Sequence, residues 1–131
     1  AGVWVGTDTG VILVYHARTL QSTEALRQHC GGVYTLLYTH RTGARAVWSA
    51  ANDFTVCRWE VSGALLQVYA GHSNGVRAVL PIGPKLWSGS SDATVRVWDV
   101  GEAQCEHVLQ GHTAAVLALA ANGPAVLSSS E

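Results

Sequence analysis

A repeated segment of about 40 residues constrains this chain more than any other feature of its sequence. Residues 48–60, WSAANDFTVCRWE, align without a gap with residues 87–99, WSGSSDATVRVWD. The aligned positions share an aspartate, a threonine and a tryptophan: Asp53 with Asp92, Thr55 with Thr94, and Trp59 with Trp98. Self-similarity at a fixed period predicts a repeat architecture, in which each unit hides its apolar surface only by packing against its neighbours.

Incomplete copies of the same segment lie toward both ends of the chain. Residues 4–16 align with the tryptophan-ending half, with Thr9 at the aspartate position and Tyr15 at the tryptophan position. Residues 111–131 align with residues 71–91 and stop one residue before the expected aspartate. We therefore expect four units, at about residues 1–28, 29–71, 72–111 and 112–131. Since the outer copies are incomplete and the chain contains no Met, we expect a piece of a longer protein.

Short runs of β-branched and aromatic residues, separated by Gly, Pro, Ser and Asp, predict strands rather than helices. Residues 19–28 could form a helical turn by local propensity, but the repeat favours a strand there. Residues 39–44 are expected to enlarge one loop of the second unit. Thirteen strands are predicted: 3–6, 11–15, 25–28, 33–38, 44–49, 55–59, 65–69, 76–80, 85–88, 94–98, 106–109, 116–120 and 125–128.

The stretch from Gly71 to Val100 begins with Gly71-His72 and has Trp98-Asp99 at its end. With these dipeptides in a segment that recurs about every 40 residues, the chain resembles the WD-repeat (WD40) β-propeller family. The resemblance implies an all-β propeller segment of about three repeats, with four-stranded antiparallel blades, two complete and two partial. Because propellers close with about four to eight blades, it also implies that the chain packs against further blades of its own or another chain.

In WD repeats a histidine, a serine or threonine, an aspartate and a tryptophan form a hydrogen-bonded set. The resemblance assigns to it His29, Ser49, Asp53 and Trp59 in the second unit, His72, Ser88 or Ser90, Asp92 and Trp98 in the third, and His112 in the last. A buried indole N–H needs an acceptor, and a hydroxyl can accept from it while donating onward. An Asp-His-Ser chain also resembles a hydrolase triad, but recurrence in successive units favours a structural role. Thr9 and Tyr15 predict that this network is absent or rewired in the first unit.

Composition argues against several other classes of function. Eight basic and nine acidic residues give a net charge of −1, which does not predict nucleic-acid binding. Cys30, Cys57 and Cys105 are odd in number and lack metal-ligand spacing, so reduced thiols are expected, with no metal and no cofactor. The sequence has no apolar run of about 18 residues and no signal-peptide pattern, so neither a transmembrane segment nor a leader is expected. A cytoplasmic location is expected, with the nucleus left open.

The family resemblance implies a non-catalytic scaffold that docks a protein or peptide partner. The candidate contact residues are Tyr34, Asn52, Phe54, Ser73, Asn74, Arg77 and Ser91, chosen from the loops that begin each unit and from the turns before each repeated Thr. Phe54 stands out because Gly10 and Ala93 occupy its position in other units. The alternative is a regulatory or targeting segment of a larger enzyme, for example an inositol-phosphate phosphatase-like protein. Binding to phospholipid or ubiquitin is neither favoured nor excluded.

Overall fold

A computed structural model describes residues 2–41 and 44–131 as thirteen strands joined by turns and loops. The strands are β1 Gly2–Gly6, β2 Ile12–His16, β3 Ser22–Leu26, β4 Val33–Arg41, β5 Ala44–Ala51, β6 Thr55–Trp59, β7 Leu65–Ala70, β8 Val76–Ile82, β9 Lys85–Ser90, β10 Val95–Asp99, β11 Cys105–Leu109, β12 Val116–Asn122 and β13 Ala125–Ser130. No helix occurs among the described residues, and the predicted all-β fold is confirmed.

The strands form four antiparallel sheets in which chain neighbours pair with each other. Strands β1 to β3 form the first sheet, β4 to β7 the second, β8 to β11 the third, and β12 and β13 the fourth. We call these sheets blades 1 to 4. Two blades therefore have four strands and two are partial, as predicted.

Two sequence predictions about strand positions were wrong. The outer strand of blade 1 is Ser22–Leu26 and not residues 25–28, because Leu20, at a φ of 58°, closes a tight turn that starts the strand earlier. The predicted loop at residues 39–44 is largely strand, since His40 pairs with Arg45 and extends the β4–β5 ladder. Residues 42 and 43 lie outside the described part of the chain.

Blades 1 and 3 each pack on the next blade through a glycine at the same repeat position, Gly6 in β1 and Gly89 in β9. A Cβ on Gly89 would lie 2.7 Å from Val116 Cγ1, and a Cβ on Gly6 would lie 2.7 Å from Val33 Cγ1. Ala50, which is fully buried, holds the equivalent position in blade 2. These close approaches set the spacing between blades, because a larger side chain there would push the next blade away.

The main apolar core lies between blades 2 and 3. Its buried members include Trp48, Val56, Tyr69, Leu86 and Trp98, drawn from both sheets. Tyr69 packs edge-on against Trp98, with ring centroids 6.0 Å apart. A single four-stranded sheet cannot cover both of its own faces, so the interior of the fold forms where two blades meet.

The turns that matter for the site gather at one end of the blades. Backbone hydrogen bonds from Asn52 N–H to Gly32 O and from Ser91 N–H to Gly75 O join each turn between the second and third strands to the loop that enters the blade. We call residues 29–34, 52–54, 72–77 and 91–93 the rim. The turn between β2 and β3, which contains Leu20, and the turn between β10 and β11, which contains Ala103, lie at the opposite end.

Candidate functional site

A hydrogen-bonded relay connects the core of blade 3 to the rim. Trp98 Nε1–H donates to Ser88 Oγ at 2.8 Å, and His72 Nε2 lies 2.7 Å from the same oxygen. His72 Nδ1 lies 2.8 Å from Asp92 Oδ2. Because the Asp92 carboxylate can only accept, the single proton of the neutral His72 ring lies on Nδ1, so Nε2 accepts from the Ser88 hydroxyl while the Ser88 oxygen accepts from the indole. The direction of every bond in the relay is thereby fixed.

Asp92 joins the relay to the backbone of the rim. Its carboxylate accepts from Ser73 N–H at 3.1 Å, from Thr94 N–H at 2.9 Å and from the Thr94 hydroxyl at 2.6 Å. Burial by itself would raise the pKa of this carboxyl, but hydrogen bonds from Thr94, His72 and the backbone outweigh burial and lower the pKa to about 2. Asp92 is therefore a charged anchor that holds a loop and a turn together.

The His72 ring is neutral in this arrangement. Burial lowers the pKa of His72, against the opposite effect of the Asp92 carboxylate. A second ring proton would sit on Nε2 and face the Ser88 oxygen, whose own proton would then need another acceptor. The relay therefore favours the neutral imidazole, with burial and hydrogen-bond direction acting together.

Blade 2 contains the same relay with small differences. His29 lies 2.7 Å from Ser49 Oγ and 2.9 Å from Asp53 Oδ2, and Trp59 Nε1–H donates to Ser49 Oγ at 2.9 Å. Asp53 also accepts from the backbone N–H of Cys30 at 3.0 Å. Burial raises the pKa of Asp53, and bonds from Thr55, His29 and Cys30 outweigh it, so the pKa falls below 3.8.

The outer blades hold less of this set. In blade 1, the Thr9 hydroxyl lies 3.0 Å from the hydroxyl of Thr7 and has no other side-chain hydrogen bond within residues 2–41 and 44–131. In blade 4, His112 Nε2 lies 2.8 Å from Ser128 Oγ. Ser90, the alternative to Ser88, instead donates to the backbone oxygen of Gly75 at 3.0 Å and shapes the rim loop.

Four of the candidate contact residues form one connected cluster across two blades. The Tyr34 hydroxyl donates to Asn52 Oδ1 at 3.0 Å. The Arg77 guanidinium carbon lies 4.0 Å from the centre of the Tyr34 ring, and Arg77 Nε–H donates to Ser91 Oγ at 3.0 Å. Tyr34 and Asn52 belong to blade 2, whereas Arg77 and Ser91 belong to blade 3. The structure thus brings together side chains that lie up to 57 positions apart in the sequence.

The other three candidates occupy the same end of the blades. Ser73 and Asn74 are exposed in the entering loop of blade 3, where Asn74 Oδ1 accepts from Gly75 N–H at 2.8 Å. Phe54 is 42% exposed and has a φ of 73°. The equivalent Gly10 and Ala93 also have positive φ, at 89° and 68°. A left-handed backbone suits glycine and strains a bulky residue, so the backbone of Phe54 is strained. The sequence showed only that an aromatic residue stands where a small one is expected, and it did not reveal this strain.

The three cysteines are free and differ in exposure. Burial, reinforced by the Asp53 charge, raises the pKa of the Cys57 thiol to about 12. We expect iodoacetamide at pH 8 to modify exposed Cys30 at least about 100-fold faster than Cys57, because the thiolate is the reactive form. Peptide mass spectrometry would measure both rates. Denatured chain is the control, in which the two should react alike; equal rates in the folded chain would contradict the placement of Cys57.

The described residues have neither a cluster suited to a metal ion nor a helix that could span a membrane. Among residues 2–41 and 44–131, no group of three or more His, Cys, Asp or Glu side chains is arranged to hold a metal ion. The same residues include no helix of the length and apolarity needed to cross a membrane.

Comparison with known proteins gives consistent matches. A model of the WD domain, G-beta repeat, matches residues 63–99. Over 103 residues the chain is 33% identical to Ribosome biogenesis protein YTM1 of Eremothecium gossypii, a match that covers 67% of this chain and 23% of that protein. Over 107 residues it is 33% identical to Cell division control protein 4 of Saccharomyces cerevisiae, covering 80% of this chain and 13% of that protein.

A solved structure extends the similarity over the whole fold. The computationally designed Ika4 protein superposes with a TM-score of 0.85 at 28% sequence identity, covering 99% of this chain and 79% of the designed one. In contrast, the chain spans less than a quarter of the length of either curated relative. The similarity therefore extends over one part of each relative.

Proposed function

Because this chain belongs to the WD-repeat family of β-propellers, we propose that it is a non-catalytic module that docks protein or peptide partners on its rim. The family as a whole is generally non-catalytic, and the two curated relatives are named for ribosome biogenesis and cell division control rather than for a reaction. The observation that carries the proposal is Phe54, an exposed aromatic held in strained backbone.

Burial of the serines argues against catalysis by the two relays. Ser49 and Ser88 are 0% exposed, and each hydroxyl already bonds to a histidine and a tryptophan. A nucleophile must reach a substrate carbonyl, and these oxygens have no path to one. The relays instead hold the rim loops in place on the blades. The alternative of a segment that regulates a phosphatase-like enzyme gains no support from the relatives described above.

Phe54 lowers the stability of the fold through backbone strain, but its exposed ring is suited to binding a partner. A bulky residue with positive φ costs about 1–2 kcal/mol relative to ordinary backbone, and Gly10 shows that glycine serves in the same turn. Residues in strained conformations cluster at binding sites, and exposed aromatics on rigid turns are frequent anchors of protein interfaces. The remaining blades of the propeller would cover the open faces of blades 1 and 4 and leave the rim free.

The test compares Phe54→Gly with Leu20→Gly. Leu20 is a matched control because it is also exposed, at 75%, and also has a positive φ, but it lies at the opposite end of the blades. Both variants should fold, with the free energy of unfolding unchanged or raised by up to about 1 kcal/mol as strain is relieved. We expect Phe54→Gly alone to weaken partner binding, by about tenfold or more.

Affinity capture of the full-length protein from its own cells would measure this effect, with quantitative mass spectrometry of wild type and both variants. Proteins lost from Phe54→Gly and retained by Leu20→Gly are the expected rim partners. Identical sets of captured proteins from all three would overturn the proposal. The division into four units, a cytoplasmic location and the absence of nucleic-acid binding remain parts of the same proposal.

A further inference from the structure

The contacts among Tyr34, Asn52, Arg77 and Ser91 hold one cation in a fixed position on the rim. We call these four residues the Tyr34–Arg77 bridge. Tyr34 stacks under the guanidinium of Arg77 and is itself anchored through Asn52. The Arg77 Nε–H donates to Ser91 Oγ. The guanidinium is therefore held in two ways, by stacking of its flat face on Tyr34 and by the hydrogen bond from its Nε–H. A long, flexible side chain has thereby already lost most of the freedom that binding would otherwise take from it.

Because Arg77 bonds to Ser91 through its Nε–H, its two terminal nitrogens remain available to donate to a ligand. A guanidinium carries five N–H donors, and the Nε–H that Arg77 gives to Ser91 is one of them. In the part of the chain that the structure describes, no carboxylate lies within 4.0 Å of Arg77. Arg77 is exposed, whereas the other stacked arginines, Arg58 and Arg96, have a buried Nε within the blades.

The acids of the rim do not compete for Arg77. Asp53 and Asp92 each bind a histidine and backbone N–H groups of their own blade. Arg77 is the single Arg or Lys among the rim residues. A dianionic phosphate would meet one cation and two nearby carboxylates. A carboxylate carries one charge and fits the two terminal nitrogens of a guanidinium side by side.

We propose that the Tyr34–Arg77 bridge binds an Asp or Glu side chain of an extended segment of the partner. This inference rests on the proposed function, since it names the chemistry of the partner that docks on the rim. The carboxylate accepts from both terminal nitrogens of Arg77, across the junction of blades 2 and 3. Residues of blades 2 and 3 therefore contribute to the same binding site. Binding should weaken as the salt concentration rises, because salt screens the charge pair.

The experiment measures binding of the full-length protein to a library of acidic peptides by fluorescence polarisation. Each peptide has a matched partner in which Asp becomes Asn and Glu becomes Gln, and a second in which a phosphoserine replaces the acid. Wild type should prefer carboxylate peptides over their amide partners by about tenfold or more. Arg77→Gln should abolish this preference, and Arg77→Lys should reduce it because lysine loses the stacked, two-pronged geometry.

Two further variants separate this inference from the docking proposal. Tyr34→Leu removes the stacking ring and should weaken binding of carboxylate peptides, whereas Leu20→Gly at the opposite end should not. Thermal unfolding verifies that each variant folds, which exposure of Arg77 and Tyr34 favours. Peptides that lose affinity on Phe54→Gly but ignore Arg77→Gln would overturn the carboxylate inference and leave docking intact. A preference for phosphoserine peptides alone would also overturn it. Failure of every carboxylate peptide to bind would likewise overturn the carboxylate inference, whereas docking is decided separately by the affinity capture with Phe54→Gly and Leu20→Gly.

Discussion

Asp92→Ala is expected to lower the free energy of unfolding by about 3–5 kcal/mol, because the change leaves several hydrogen-bond donors without an acceptor. The lost acceptor serves His72 Nδ1–H, the N–H of Ser73, and both the N–H and hydroxyl of Thr94. His72 is buried, and water cannot replace the acceptor there without opening the loop. The effect should therefore exceed that of an ordinary surface substitution, which is within about 0.5 kcal/mol.

Urea unfolding of the chain measures this loss, and the repeat supplies its own controls. Asp53→Ala should cost a similar amount, since Asp53 makes the corresponding bonds in blade 2. Thr9→Ala is the matched control: Thr9 aligns with Asp92, is exposed and, within the described part of the chain, forms a side-chain hydrogen bond only with Thr7. If the three variants unfold at the same urea concentration, the relays do not stabilise the blades in the way their geometry indicates.

The repeat made the blades predictable, and the resemblance to WD repeats implied which of the repeated residues form the relays. Spacing alone placed Asp53 on Asp92 and Trp59 on Trp98, and the structure brings each pair into equivalent positions. The physical reason is that one blade is a closed local unit: its strands pair with chain neighbours, so sequence order fixes which side chains meet. The count of thirteen strands and their grouping followed from the same regularity.

Contacts between blades were not predictable in this way. The stacking of Arg77 on Tyr34 depends on how far blade 3 is rotated against blade 2, which no spacing within a unit encodes. A small residue recurs at Gly6, Ala50 and Gly89, and this pattern could have revealed the close approach between blades. The outer strand β3 was misplaced because its exposed, mostly polar residues carry no hydrophobic signal.

The lowered pKa values of Asp92, Asp53 and His72 predict how the free energy of unfolding changes with falling pH. The folded pKa of Asp92 is about 2 and its ordinary value is 3.8, so the folded state binds fewer protons than the unfolded state between these values. This contribution, about 2 kcal/mol, is fully present above pH 3.8 and is lost as pH falls toward 2. The pKa of Asp53 is lowered in the same direction.

His72 moves the onset of this loss to higher pH. Its folded pKa lies below 6.5, so the unfolded chain takes up a proton on this ring before the folded chain does. The free energy of unfolding should therefore begin to fall below about pH 6.5, through His72, and fall further below pH 3.8, through Asp92. A histidine charged by its aspartate partner would give the opposite trend between pH 7 and 5.

Urea unfolding at pH 7, 5.5, 4 and 3 would measure this dependence, and Asp92→Asn identifies its source. The variant should be less stable than wild type at pH 7, because a neutral amide is a weaker acceptor than a carboxylate. Because the amide does not titrate, the variant should also lose less of its remaining stability than wild type between pH 4 and 3. The His72 part of the dependence, between pH 7 and 5, is expected to change because the raising effect of the carboxylate is gone. Stability curves that run parallel for wild type and Asp92→Asn from pH 7 to 3 would show that acid acts elsewhere in the chain.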